Sequence, residues 1–188
     1  NKLKVVACIQ ARIGSKRLPK KVLLEISGKS VIENMLERLK VAKEIDDIIL
    51  ALPDTKENDI LARHADKIGL KYYRGSEYDI ISRQYGAAKK LNADALILFT
   101  GDCPLLDPKI ADKMVKIYRK NYDKFDFFTN TFPPTFPHGL DADIVPVFTF
   151  KKINEEINAP FHRECYAAYI MENPEKFRKY FSRYAMGV

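Results

Sequence analysis

The chain has 188 residues, 46% of them hydrophobic and 30% charged, with a formal net charge of +7. That length suits one domain around one substantial core, and no apolar run approaches the roughly 18 residues that argue for a membrane-crossing helix. With no secretory leader in view either, a cytoplasmic protein is expected, neither exported nor membrane-spanning. Cys8, Cys103 and Cys165 are odd in number and far apart, which disfavours a disulfide framework or a zinc site and predicts reduced thiols. The positive charge calls for an anionic partner, and alone it does not choose among nucleic acid, a membrane surface and a phosphorylated small molecule.

In chain order, "VVACIQ" (5–10) is a continuous apolar strand of the kind buried in a parallel sheet. Ser30 with Glu33 makes a capping box, and Ile32, Met35, Leu36, Leu39 and Ala42 share one face of the helix that follows. "IILAL" (48–52) is a second buried strand. Ile60, Leu61, His64, Ala65 and Ile68 then line a helix that stops at Gly69, where His64 reads as a packing residue. "LKYYRG" (70–75) is a third strand, and Ile80, Ile81, Gln84, Tyr85, Ala88 and Leu91 mark another helix. "ALILFTGD" (95–102) is a fourth strand, followed by a helix over 108–121. This alternation predicts an α/β domain with a doubly wound, mostly parallel sheet. After Phe125 the pattern breaks: Pro133, Pro134, Pro137 and Gly139 precede a strand over 142–147. That stretch reads as an inserted β-ribbon or lid beside the sheet.

In open parallel sheets ligands bind outside the carboxyl ends of the strands. Two loops leave at that edge. One carries Arg12, Lys16, Arg17, Lys20 and Lys21, kept out of a helix by Gly14, Ser15 and Pro19, and the other carries Asp102. Cations for a polyphosphate opposite a carboxylate for Mg²⁺ suggest a nucleoside triphosphate, since magnesium takes one or two carboxylates together with substrate phosphates. GxxxxGK[ST] and GxGxxG are both absent, which disfavours a P-loop hydrolase and a nicotinamide dehydrogenase. Aromatics are not interleaved with the basic loop as a nucleic-acid stacking platform requires, so no nucleic-acid partner is expected.

"IQARIGSKRLPKKVL" (9–23) resembles the signature of sugar-activating cytidylyltransferases, and "TGDCPLLDP" (100–108) is similar to their second signature. "YRGSEYDIISRQYGAAK" and "FPHGLDADIV" follow the order of the branch named for spore-coat polysaccharide biosynthesis. Relatives in this resemblance include CMP-Kdo synthetases and acylneuraminate cytidylyltransferases. It implies a Rossmann-like fold and one domain over 1–188, with a nucleotide-binding part (1–125) and a sugar-side and dimerisation part (126–188). It also implies transfer of CMP from CTP to a sugar or sugar acid, with Mg²⁺ as cofactor and a homodimer as the assembly.

On this resemblance Arg12, Ser15 and Lys21 hold the triphosphate with the backbone amides around Ala11 and Gly14, while Arg17 either faces phosphate or braces the loop. Lys16 and Lys20 are expected to be solvated. Arg12, Lys21 and Asp102 are the expected catalytic groups, with Asp102 as the metal ligand. Arg74, Gly75 and Ser76 would border the nucleotide, while Asp79 and Arg83 would either border it or cap and brace their helix. His138, Gly139, Asp141 and Asp143 form the expected sugar side. One of the two aspartates would bind sugar hydroxyls or add a metal carboxylate; otherwise they are a turn residue and an exposed strand residue. Gln10 stands where the family has Pro, and the order of residues in "HREC" (162–165) differs from the branch. The family's late strand and acidic turn are not found before Val188, which leaves open a truncated chain, a differently completed metal site or an inactive member. A nucleotide-sugar-binding, glycosyltransferase-like protein is the alternative on the same fold.

Overall fold

The computed structural model of the protein describes residues 2–15 and 17–183. Lys16 and the C-terminal "YAMGV" therefore lie outside the described residues. β1 (Val5–Gln10) is flanked by two parallel neighbours, β4 (Asp47–Pro53) and β6 (Ala95–Thr100), and β5 (Lys71–Gly75) extends the sheet beyond β4. From β1 the chain steps outward through β4 and β5, then returns to the other side of β1 with β6. That reversal opens a crevice at the carboxyl ends of β1 and β6, where ligands of such sheets bind.

Between β1 and β4 a small hairpin of β2 (Glu25–Ile26) and β3 (Lys29–Ser30) turns through Ser27 and Gly28, both at positive φ. α1 (Val31–Val41) starts at Ser30, whose Oγ accepts from the Glu33 amide as the capping box predicts. The same hydroxyl meets His64 Nε2 at 2.7 Å, which gives His64 the packing role expected of it. α2 (Asp59–Lys67) joins β4 to β5, α3 (Ile80–Lys90) joins β5 to β6, and α4 (Pro108–Lys120) follows β6.

Alternation along β1 sorts the core into two layers. Val5, Ala7 and Ile9 pack with α1, α2 and α4, while Val6 and Cys8 pack with α3, α5 (Val147–Glu156) and α7 (Tyr166–Glu172). Cys8 is enclosed in that second layer, and burial pushes its thiol up to about 12. All three cysteines are free thiols. The helix faces differ in detail from the periodicity: in α2, Leu61, Ala62 and Ala65 are buried while Ile60 is 38% exposed.

Past Phe125 the expected ribbon is present, but it joins the sheet rather than lying beside it. β8 (Asp143–Pro146) pairs antiparallel with β6, β7 (Phe127–Thr129) pairs antiparallel with β8, and β9 (Lys179–Phe181) closes the edge parallel to β7. The connection between β7 and β8 is clamped at its base by buried Asn130. Its side chain donates to Leu140 O at 2.9 Å and accepts from the Ala142 amide at 2.8 Å. α6 (Pro160–Glu164), α5 and α7 were not assigned from the sequence. α5 opens with Val-Phe-Thr-Phe, which favours strands, and has no side-chain cap.

Candidate active site

The basic loop after β1 is fixed at one inward residue. Ile13 is buried, its amide donates to Oδ1 of buried Asn58 at 3.0 Å, and its carbonyl accepts from the amides of Ser15 and Lys20. Ser15 Oγ then takes the Leu18 amide at 3.4 Å, and a single tight turn over Lys21–Leu23 buries Val22. With its middle pinned, the loop turns Arg12, Ser15, Arg17 and Lys21 into a cleft of about 370 Å³. Lys20 stands outside that lining, at φ 54°, as expected of a solvated position.

The opposite wall is the end of β6. Gly101 donates to Gln10 O at 2.8 Å, and a Cβ placed there would lie 2.6 Å from Ala11 Cβ. Only glycine fits that approach, so the "TGD" turn brings Asp102 across to the basic loop. The Asp102 carboxylate meets Lys21 Nζ in an ion pair whose members are 42% and 30% exposed. Desolvation pushes the Asp102 carboxyl up, but the hydrogen bonds from Lys21 and Thr100 and the Lys21 charge outweigh it, so its pKa falls below the ordinary range.

Ala11, Arg12, Ser15, Arg17, Lys21 and Asp102 thus line one cleft, as the resemblance implied. Arg12 and Arg17 make no hydrogen bond or ion pair with other described residues, so their donors face the cleft unpaired. Two details depart from expectation. The Ala11 amide is spent on Ala51 O within the sheet, so it is not free to meet a phosphate. Gly14 lies behind the loop, where a Cβ would approach the Glu57 carboxylate to 3.3 Å.

Arg74, Gly75 and Ser76 do not line the cleft. Arg74 is held by Asp54 at 2.8 Å and Asp59 at 2.7 Å and donates to Thr55 O, bracing the turn after β4. Gly75 O takes the Asp54 amide, and Ser76 Oγ takes the Asp79 amide. Asp79 caps α3 through the Ser82 amide and pairs with Arg163, so its role is structural. Arg83 braces the turn before its helix by donating to the carbonyls of Ser76 and Glu77, and, though only 2% exposed, it also lines the cleft with its Nε unpartnered. Burial lowers its pKa, yet an arginine remains charged.

A second cleft of about 410 Å³ shares Gln10, Ile80, Thr100 and Glu164 with the first. His138, Asp141 and Asp143 line it, and Gly139, at φ 93°, sits between them with its amide 3.4 Å from Asp141 Oδ2. The buried Oδ1 of Asp143 has no hydrogen-bond partner. Burial, with Asp141 nearby, pushes its carboxyl up to about 6 against the opposing Thr129 hydroxyl. Tyr166 OH donates to Gln84 Oε1 at 2.8 Å, and Gln84 Nε2 donates to Gln10 Oε1 at 2.6 Å.

Sequence reasoning missed Gln10, Gln84, Tyr166 and Glu164 as lining residues. Gln10 had the clearest signal, as a polar residue ending a buried strand where the family has Pro. In "HREC", His162 pairs with Glu172 at 3.0 Å and Arg163 braces Asp79 and Asn154, while Glu164 lines both clefts and Cys165 the second.

The described residues contain no group of three or more His, Cys, Asp or Glu side chains able to hold a metal. They do place Asp102 in one cleft with four cations, and the other carboxylates of that lining, Glu77 and Glu164, form no three-member group with it. That donor set suits Mg²⁺ brought in with a triphosphate, which needs one or two protein carboxylates. It does not suit a metal held by protein alone.

The sequence profile of a family described as cytidylyltransferase matches residues 6–181. The chain belongs to the cytidylyltransferase family. A solved cytidylyltransferase from Leptospira borgpetersenii superposes with a TM-score of 0.92 at 37% identity, covering 97% of this chain and 76% of that one. The spore coat polysaccharide biosynthesis protein SpsF of Bacillus subtilis is 26% identical over 93% of this chain and 77% of its own. An 8-amino-3,8-dideoxy-manno-octulosonate cytidylyltransferase of Shewanella pealeana is 30% identical over 68% of this chain and 52% of its own length. Membership makes the protein a nucleotidyltransferase, with the mostly parallel sheet of that fold. Among the described residues no helix is long and apolar enough to cross a membrane.

Proposed function

We propose that this cytidylyltransferase transfers CMP from CTP to an oxygen of a sugar or sugar acid, with Mg²⁺ as cofactor, in the cytoplasmic stage of surface-polysaccharide synthesis. One observation carries the reading. A cationic cleft holding Arg12, Arg17, Lys21, Arg83 and Asp102 adjoins a second cleft free of lysine and arginine among the described residues, and Gln10 and Thr100 line both. A triphosphate seated in the first would present its α-phosphorus to an acceptor oxygen from the second.

In that transfer the acceptor hydroxyl gives up its proton to solvent, its oxygen forms a bond to the α-phosphorus, the α–β phosphoanhydride bond breaks, and pyrophosphate leaves. The chemistry needs alignment and charge neutralisation more than a covalent nucleophile. Arg12 offers a fork of donors to phosphate oxygens, and Lys21 a compact point charge. Arg17 extends the cationic rim and Ser15 adds a hydroxyl. Asp102 would hold Mg²⁺, which when bound supplies positive charge to the phosphate oxygens. Holding it would free Lys21, now paired with Asp102, for the phosphates.

We read the assembly as a homodimer. Of the aromatics after the central sheet, Phe127, Phe128 and Phe150 are core, whereas Phe132 and Phe148 are 55% and 48% exposed and available to a twofold partner. A monomeric mass by light scattering at tens of micromolar protein would remove that assignment.

Pyrophosphate release from CTP, ATP, GTP and UTP with Mg²⁺ tests the reaction, using 3-deoxy-manno-octulosonate, its 8-amino analogue and neutral sugars as acceptors. The expected result is release with CTP that requires an acceptor. A protein that no nucleoside triphosphate stabilises against heat would overturn the reading. Transfer from a CMP-sugar without pyrophosphate formation would replace it with the nucleotide-sugar alternative.

A further inference from the structure

The second cleft carries the opposite charge to the first. Its wall carries three carboxylates, Asp141, Asp143 and Glu164, with no lysine or arginine among the described residues. Asp143 and Glu164 form no ion pair with any described residue. Asp141 has only His138, 3.9 Å away at the exposed rim, and the Gly139 amide. Asp143 also holds a buried, unpartnered Oδ1 at the cleft. At the seam, the chain from Tyr166 through Gln84 ends on Gln10 Oε1. That fixes the Gln10 carbonyl oxygen as acceptor and leaves its amide N–H groups to donate where the clefts meet.

We propose that this cleft holds the body of the acceptor, and that the body presents hydroxyl or ammonium groups to it and no anionic group. The inference rests on the cytidylyltransferase reading and names the substrate class within it. A buried acceptor without a partner is costly until a donor reaches it, and both hydroxyl and ammonium donate. An anion there would meet like charges in a partly desolvated space with no protein cation to offset them.

An anion beside the attacking oxygen is a different case. It would lie against the first cleft, among Arg12, Arg17, Lys21 and Arg83. A sugar acid with its carboxylate at the reacting end is therefore admitted, while one charged at the far end is excluded.

Three sugars that differ only at C6 test this: 6-amino-6-deoxyglucose, glucose and glucuronate. Their binding is read by saturation-transfer NMR on the protein saturated with CMP at fixed ionic strength, with CTP stabilisation measured on the same sample. The amine and hydroxyl sugars are expected to bind, with glucuronate at least about tenfold weaker. Asp143→Asn and Glu164→Gln are each expected to weaken the amine sugar and narrow the gap. Glu164 is exposed, so its variant reads the charge even if Asp143→Asn fails to fold. Glucuronate binding as well as the amine, no binding by any of the three, or an order unchanged in both variants would overturn the inference alone. Loss of CTP stabilisation would instead overturn the function, whatever the sugars do.

Discussion

The two clefts share a wall and differ in how their charge is satisfied. In the first, the cations are exposed or partly exposed apart from Arg83, Arg12 and Arg17 stand without partners, and the one central carboxylate, Asp102, is already paired with Lys21. In the second, Asp143 has a buried oxygen without a partner, and its lining adds Asp141, Glu164, neutral amides and a phenol but no lysine or arginine among the described residues. On the proposed function, the first would take a ligand of high negative charge that brings its own metal, and the second one that brings donors. The difference shows why a net charge of +7 is a poor guide to this protein: the charge that matters is local, and it changes sign across Gln10.

Asp102 is where the largest effect is expected. Asp102→Asn removes the charge that a hard cation prefers, so Mg²⁺-dependent pyrophosphate release should fall by on the order of a hundredfold or more, comparable to removing one preorganised electrostatic group from an active site. The fold should survive, because an exposed ion pair contributes roughly 0–1 kcal/mol. Activity within two- or threefold of the parent protein would take the metal role from Asp102.

Next come the loop cations. Arg12→Ala and Lys21→Ala should each weaken CTP binding by about 1.5–3 kcal/mol, the range for hydrogen bonds to charged groups. Lys20→Ala should cost far less, since Lys20 does not line the cleft and its charge is screened by salt. Calorimetry on the three variants at one ionic strength checks this, and equal losses would reduce the loop to a diffuse electrostatic patch. Lys21→Ala has a second expected signature, because it frees Asp102: Mn²⁺ should bind the nucleotide-free variant more tightly than the parent.

Gly101→Ala tests the wall itself. A methyl 2.6 Å from Ala11 Cβ forces the ends of β1 and β6 apart, an overpacking cost of about 2 kcal/mol. Denaturant melts should show that loss, and CTP binding should fall with it as Asp102 moves away from Lys21. A variant of unchanged stability would mean that the turn relaxes freely.

Much of this arrangement was legible in the sequence. The strand and helix periods placed the loops after β1 and β6 at one sheet edge, and the two signatures singled out Arg12, Lys21 and Asp102 on it. What periodicity could not supply was the partner of each side chain. Arg74 carries the same charge as Arg12, but two aspartates that arrive from the turn after β4 and the start of α2 tie it down. The Ala11 amide is at the right place and is spent on Ala51. Gln84 reads as an ordinary polar interruption of a buried helix face until β1 and α7 bring Gln10 and Tyr166 to it. Long-range pairing decides such roles, and no local pattern encodes it.

The smallest expected effect is on stability, and it sharpens the contrast between Asp102 and Asp143. Asp102, Asp46, Asp47 and Asp126 have carboxyl pKa values lowered in the fold, so their contribution is present above the unfolded pKa and is lost as pH falls. Asp143 works the other way, because burial raises it from the ordinary 3.8 to about 6. Below about pH 4 it is protonated in both folded and unfolded states and costs nothing. Between about 4 and 6 the folded protein binds the extra proton, so stability drains away as pH rises. Above that range the enclosed charge costs its full amount. Asp143→Asn does not titrate, so the other carboxylates cancel in the difference between variant and parent. The variant's advantage in melting temperature should therefore grow between about pH 4 and 6 and stay level above. Because the amide has its own desolvation cost, the gain should reach only about 1 kcal/mol. Melts of both proteins from pH 4 to 8 measure it. A difference that is flat with pH would show that Asp143 is solvated and charged throughout, and that the second cleft is not the desolvated space that its unpartnered oxygen implies.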